Sequence, residues 1–160
     1  MNRLFWQAVL AFLALPGVVA FLIPLVVFVP DWLELALNWV GFVPLSVGIV
    51  LLLWTVIEFY VAGRGTLAPW TPPRELVVTG LYRYSRNPMY VAVVLILAGW
   101  AVLFRSWPLA VYAAAVALAF HFRVIYGEEP WLARSFGERW VSYKADVPRW
   151  FRWWRRSFDD

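Results

Sequence analysis

Apolar residues fall along this chain in long unbroken runs, with the polar residues gathered between them. The runs cover about 4–29, 39–61, 89–104 and 107–126, and few charges interrupt them. Runs of this kind, without strand-like alternation, predict membrane-spanning helices. Pro16-Gly17 and Pro24 predict a bend in the first run rather than its end. The third run is short. At about 1.5 Å per residue it reaches only about 24 Å, so it must borrow apolar length from its flanks or sit where the bilayer thins. Ser106 is placed to cap the fourth run, with Pro108 in the first turn where proline is tolerated. Gly127 and Pro130 predict that the fourth helix breaks there.

Past that point Leu132, Phe136, Trp140, Tyr143 and Val147 recur three and four residues apart, with Arg134, Glu138, Arg139 and Lys144 largely on the other side. That spacing predicts an amphipathic helix over about 130–147, lying in the membrane interface. The predicted fold class is therefore all-α. The chain reads as a polytopic membrane protein, one domain over 1–160, with about four transmembrane helices and a C-terminal amphipathic interfacial helix.

Composition strengthens this picture. Hydrophobic residues make up 63% of the chain, mean hydropathy is +0.68, and there are 12 Trp and 12 Phe. That lies outside the range of soluble domains, and such aromatics collect at bilayer interfaces. With no Cys and one His, disulfides, a thiol nucleophile and a metal site are not expected. The formal charge of +4 could suit nucleic acid, but its placement suits a membrane. Arg3, Arg64, Arg74, Arg83, Arg86, Arg134, Arg139, Lys144, Arg149, Arg152, Arg155 and Arg156 all fall on one side of a four-span arrangement. Arg105 falls on the other side, beyond an outer loop with Asp31 and Glu34. The positive-inside rule then puts both termini in the cytoplasm. The first run resembles a signal peptide but is too long and lacks a small-x-small cleavage site, so it reads as a retained span.

Two polar clusters flank the third and fourth runs: Arg86-Asn87-Pro88-Met89-Tyr90 and Glu128-Glu129-Pro130. A helical hairpin between them returns both to one membrane face. Pro88 makes Asn87 a natural N-cap, and Arg83 and Arg86 suit lipid phosphates as well as a ligand. Glu129 fits a helix start, but one carboxylate suffices there, and two adjacent carboxylates repel. Glu58, His121 and Arg123 are ionisable residues inside runs, and such residues are functional candidates. Glu58 and Arg123 can also simply pair with each other, and His121 can be a hydrogen-bonded structural residue. Gly63-Arg64-Gly65 could let the backbone approach a ligand closely, but without a strand-to-helix context it reads first as an ordinary turn.

Gly80-Leu81-Tyr82-Arg83-Tyr84-Ser85-Arg86-Asn87-Pro88-Met89-Tyr90, Tyr126-Gly127-Glu128-Glu129-Pro130, Phe136-Gly137, Tyr143 and Val147-Pro148-Arg149 together resemble the isoprenylcysteine carboxyl methyltransferase family. That family shares its arginine/asparagine-proline and paired-glutamate motifs with phospholipid N-methyltransferases. The resemblance runs from about Gly63 to Arg149. It implies a membrane enzyme using S-adenosylmethionine, without the usual soluble nucleotide-binding fold. Cofactor-binding residues carried over are Arg86, Asn87, Pro88, Tyr90, Glu128 and Glu129, with Tyr82, Tyr143 and Arg149 as pocket wall or as support behind it. Asn87 replaces the His of the isoprenylcysteine enzymes, the form found in phospholipid methyltransferases. Trp140 replaces a family tyrosine and keeps an aromatic there.

The implied reaction is methyl transfer to a lipophilic or amphipathic carboxylate, amine or thiol at the cytoplasmic face, and the implied location is a bacterial plasma membrane. The implied partners are the bilayer and that acceptor, with neither metal nor nucleic acid. An Arg suits the cofactor carboxylate and a Glu its ribose diol or ammonium. Catalytic candidates are Arg123, which could hold an anionic acceptor, and His121 and Glu58, which could take a proton. A nicotinamide-dependent membrane reductase and a non-catalytic scaffold of the same fold are the alternatives, and a transporter suits four short spans least.

Overall fold

The structure is a computed structural model that describes residues 6, 13–28, 37–62 and 75–151. Several sequence features lie outside these residues: the start of the first run, Asp31 and Glu34, Gly63-Arg64-Gly65, and the chain after 151. The described residues form helices and turns, with no strand among them. Helix α1 spans 13–27, π-helical over Leu13–Leu22 and α-helical over Ile23–Val27. A 3-10 turn, Trp39–Gly41, leads into α2, Phe42–Ala62. A second, Gly80–Arg83, precedes α3, Pro88–Leu103. Helix α4, Trp107–Arg123, runs through a π-helical stretch, Val124–Glu128, into α5, Glu129–Phe136, and α6 is Glu138–Asp146.

The short third run is the centre of the bundle. Helix α3 is apolar on every side and packs against α2, α4 and α1, burying Ala92, Val93, Ile96, Leu97 and Leu103. An all-round apolar helix belongs in the interior. Its contact with α2 is close because glycines line it. A Cβ on Gly99 would sit 2.6 Å from the Leu45 backbone nitrogen, and one on Gly48 2.9 Å from the Ala92 oxygen.

Helix α1 docks through carbonyls. Pro24 has no N–H to offer Val19, five residues back, or Ala20, four back. Side chains from the neighbouring helices supply donors instead: Tyr112 Oη donates to the Val19 oxygen (3.1 Å) and Trp100 Nε1 to the Ala20 oxygen (2.9 Å). Such substitution is what lets proline sit inside a helix away from water.

Two helices, Trp39–Phe59 and Trp107–Phe136, are long and apolar enough to cross a membrane, and Pro16–Val27 and Pro88–Leu103 are shorter apolar helices. Only 28% and 17% of the most apolar windows of the long pair is buried within the protein. Val43, Val47, Val50, Ile57 and Val61 on α2 face outward. So much exposed hydrocarbon requires lipid around it, and the protein is associated with the membrane.

Two sequence expectations fail at the C-terminal end. The fourth helix does not break at Gly127 and Pro130. A π turn carries it through, with the Glu129 N–H donating to the Val124 oxygen. The break comes ten residues after Gly127, at Gly137, whose φ of 52° suits glycine. The expected single helix over 130–147 is thus two helices. Its apolar face is also not turned to lipid: Trp140, Tyr143 and Val147 pack on Leu76, Leu132 and Phe136.

Candidate functional site

The segment leading into α3 is fixed at both ends. At its start Glu58 accepts from Thr79 Oγ1 (2.7 Å) and Trp54 Nε1 (3.3 Å). Gly80, at φ 53°, lies so close to this carboxylate that any Cβ would overlap it. Glu58 therefore latches the turn to α2, and the pairing with Arg123 considered from sequence is not made. At the segment's end Asn87 occupies the N-cap position of α3, but its side chain makes no cap bond. Its Nδ2 donates instead to the Arg149 oxygen (3.0 Å), its N–H donates to Ser85 Oγ (3.1 Å), and the Arg86 N–H donates to the Pro148 oxygen (2.9 Å). Residues 148–149 thus strap the loop from below.

The π turn explains how the two glutamates differ. Pairing i with i+5 stacks residues five apart, whereas five α-helical steps leave them about 140° apart. Arg123 and Glu128 therefore meet, Nε to Oε1 at 2.9 Å. Glu128 also accepts a short hydrogen bond from Tyr90 Oη, which itself accepts from Arg123 Nε (3.1 Å). Tyr90 stacks on Phe120 with ring centroids 4.3 Å apart.

Glu129 points elsewhere. Arg149 grips it with two bonds (2.7 and 3.0 Å), Arg86 Nη1 with one (3.0 Å), and Lys144 Nζ stands 3.9 Å away. Glu129 is the first residue of α5, but the helix runs into it unbroken from the π turn. Its N–H is already bonded to the Val124 oxygen, so there is no free helix end for the carboxylate to cap. The Arg86 guanidinium lies 5.3 Å over the Trp140 ring, a cation–π contact. Burial pulls Arg86 below the usual arginine range while Glu129 opposes that pull. The bond to Glu129 raises Arg149. Burial raises Tyr143 and Tyr82, so both phenols keep their protons, and Tyr143 Oη donates to the Tyr82 oxygen (2.7 Å).

These groups surround a cavity of about 610 Å³. Its polar wall holds Arg86, Asn87, Tyr90, Arg123 and Glu128, with Tyr82 and Tyr143 alongside. Pro16, Val19, Phe59, Val93 and Phe120 supply an apolar wall. The volume falls in the range of roughly 300–1,000 Å³ typical of small-molecule sites. One buried side-chain atom here has no partner among the described residues, Arg86 Nε. An orphan donor beside a cavity fits a ligand with an anionic or carbonyl oxygen. A cationic arginine and an anionic glutamate on one wall suit a molecule carrying both charges.

Of the residues singled out from sequence, Tyr82, Arg86, Asn87, Tyr90, Arg123, Glu128 and Tyr143 line the cavity. Glu129 and Arg149 stand behind Arg86, and Pro88 is buried in the first turn of α3. Glu58 and His121 are not on the wall; His121 Nδ1 accepts from Trp150 Nε1 at 3.3 Å. Sequence reading missed Glu75, Trp131 and Arg134, which also line the cavity. No spacing marks Glu75, but Trp131 and Arg134 follow Glu129 by about half a turn and one and a half turns of α5, which a helix continuing through Pro130 would have brought forward. Among the described residues no group of three His, Cys, Asp or Glu is placed to hold a metal.

A family model described as phospholipid methyltransferase matches residues 37–139, which run from just before the 3-10 turn that leads into α2 to the first turn of α6 and include both motifs. The nickel-cobalt-cadmium resistance protein NccN of Alcaligenes xylosoxydans xylosoxydans is 30% identical over 120 residues. The alignment covers 75% of this chain and 52% of that protein, so the chain spans about half the length of this curated relative. No solved structure gives a significant match.

Proposed function

The chain belongs to the phospholipid methyltransferase family, and from that premise we propose that the cavity binds S-adenosylmethionine and brings it against a lipophilic or amphipathic acceptor. The observation that carries this reading is the convergence of both motifs on one cavity that is charged on one wall and apolar on the other. Arg86 and Asn87 would hold the carboxylate end of the cofactor, and Glu128 its ammonium or ribose hydroxyls. The cofactor supplies a methyl group on a sulfonium. The protein supplies orientation and exclusion of water, which is most of what an in-line displacement needs.

The apolar wall of Val19, Val93 and Phe120 suits an acceptor tail that enters between helices from the lipid. Arg123, more than half exposed at the rim, would receive an anionic group on that acceptor. A carboxylate acceptor needs no base. For an amine or thiol, Glu128 stands nearer the cavity than His121 or Glu58. The reading includes four spans, with the two shorter apolar helices crossing alongside the longer pair, both termini cytoplasmic, and the plasma membrane of a bacterium as location.

The test is calorimetric titration of S-adenosylhomocysteine into protein purified in detergent, beside Glu128→Gln and a parallel titration with NADPH. Micromolar binding of the nucleoside, weakened at least tenfold in the variant, is expected, with no heat from NADPH. Binding of NADPH alone would replace this reading with a reductase.

A further inference from the structure

Three cations from three separate parts of the chain converge on one carboxylate that does not line the cavity. Arg86 comes from the loop before α3, Lys144 from α6 and Arg149 from the segment after α6, and all meet Glu129. The Glu129 side chain is 10% exposed and that of Arg86 7%. The same segment carries Pro148 and Arg149, whose backbone oxygens hold Arg86 and Asn87 (2.9 and 3.0 Å). Ser85 Oγ adds a bond to the Arg149 oxygen (3.4 Å). Arg86 is thus held from three directions: Glu129 on its guanidinium, Trp140 beneath its plane, and Pro148 on its N–H.

We propose that Glu129 and Arg149 are positioning residues for the ligand-binding Arg86, and that Glu128 alone of the paired glutamates meets the ligand. Adjacent carboxylates in a methyltransferase motif invite the reading that both bind one molecule. The π turn rules that geometry out here, because it aims Glu128 at Arg123 and the cavity and Glu129 at the strap. A carboxylate ringed by three cations has little capacity left for a cationic ligand group. Its effect on binding must pass through Arg86. Arg149 acts one step further back: its guanidinium fixes Glu129 and its carbonyl fixes Asn87, so one residue sets both ends of the Arg-Asn pair. This inference rests on the methyltransferase reading only for the identity of the ligand.

The chain contains no cysteine, so a single introduced thiol can carry a spin label. Arg83→Cys, exposed on the turn before Arg86, reports on the loop, and Ala114→Cys, exposed on α4, serves as control. Glu129→Gln and Arg149→Gln are expected to narrow the spectrum at 83 and leave that at 114 unchanged, with Arg149→Lys intermediate. In titrations with S-adenosylhomocysteine, Glu129→Gln is expected to weaken binding about tenfold in an otherwise native chain and not at all on an Arg86→Gln background. Glu128→Gln, in contrast, should weaken binding by the same factor on either background. An unchanged spectrum at 83 would overturn the proposal. So would a Glu129→Gln loss that persists without Arg86, since the carboxylate would then touch the ligand itself. If the native chain bound no S-adenosylhomocysteine, the cofactor reading would fail, while the spectra would still decide whether Glu129 and Arg149 hold the loop.

Discussion

At Glu128 one arginine and one tyrosine serve a side chain that is 31% exposed and lines the cavity; at Glu129, the next residue, three cations enclose one that is 10% exposed and does not. The sequence offers two identical side chains, and the backbone makes them different. A π turn ending at Glu128 and an α-helix beginning at Glu129 send consecutive residues to different neighbours. One location stays open for exchange of partners, since Arg123 is itself mostly exposed and Tyr90 has only short reach. The other is closed, and its worth lies in what it holds still. A buried ion cluster is weak evidence for added stability, but losing one member is costly because it leaves uncompensated charge.

That contrast predicts unequal stability effects. Glu129→Ala strands two largely buried arginines and should destabilise the protein by about 3 kcal/mol. Glu128→Ala should destabilise it by less than about 1 kcal/mol. Thermal unfolding in detergent would compare the two, and equal losses would break the comparison. Next in size, Gly99→Leu forces α2 from α3 and should destabilise by about 2 kcal/mol. Because the wedge is far from the cavity's polar wall, the affinity of folded molecules for S-adenosylhomocysteine should stay within about twofold of native.

Tyr112→Phe removes the donor to the Val19 oxygen and should destabilise by about 0.6–1 kcal/mol, the scale of a hydrogen bond between membrane helices. The smallest effect is expected at Glu58. Glu58→Gln keeps an acceptor for Thr79, so turnover should change less than about twofold, whereas loss of a general base would lower it at least about a hundredfold. Steady-state rates with radiolabelled cofactor separate these outcomes.

Much of the frame was legible in the chain. Unbroken apolar runs located the two long and two shorter apolar helices among the described residues, because residues that lipid or a neighbouring helix must cover leave little room for polar ones. Ser106 caps α4 as its position implied, its Oγ accepting from the Leu109 N–H. Both motifs were legible too, and five of their residues share the cavity. The π turn was not. Gly127 and Pro130 each favour a break locally, and the helix continues because Glu128 and Glu129 gain partners only in the continued register. Those partners lie 20 to 43 residues away for Arg149 and Arg86, a distance that no periodicity reports. The amphipathic pattern over 130–147 gave the right apolar face but the wrong neighbour. A helix pair folded back at Gly137 buries the same residues that a flat helix would press into lipid.

The most direct test of the central claim is photolabelling. Protein in nanodiscs would be irradiated with S-adenosylmethionine radiolabelled in its methyl group, and the attached label mapped by proteolysis. The account predicts label within residues 82–93 or 120–143, displaced by S-adenosylhomocysteine and reduced in Glu128→Gln. Label confined to other segments, or label that the competitor does not displace, would contradict it.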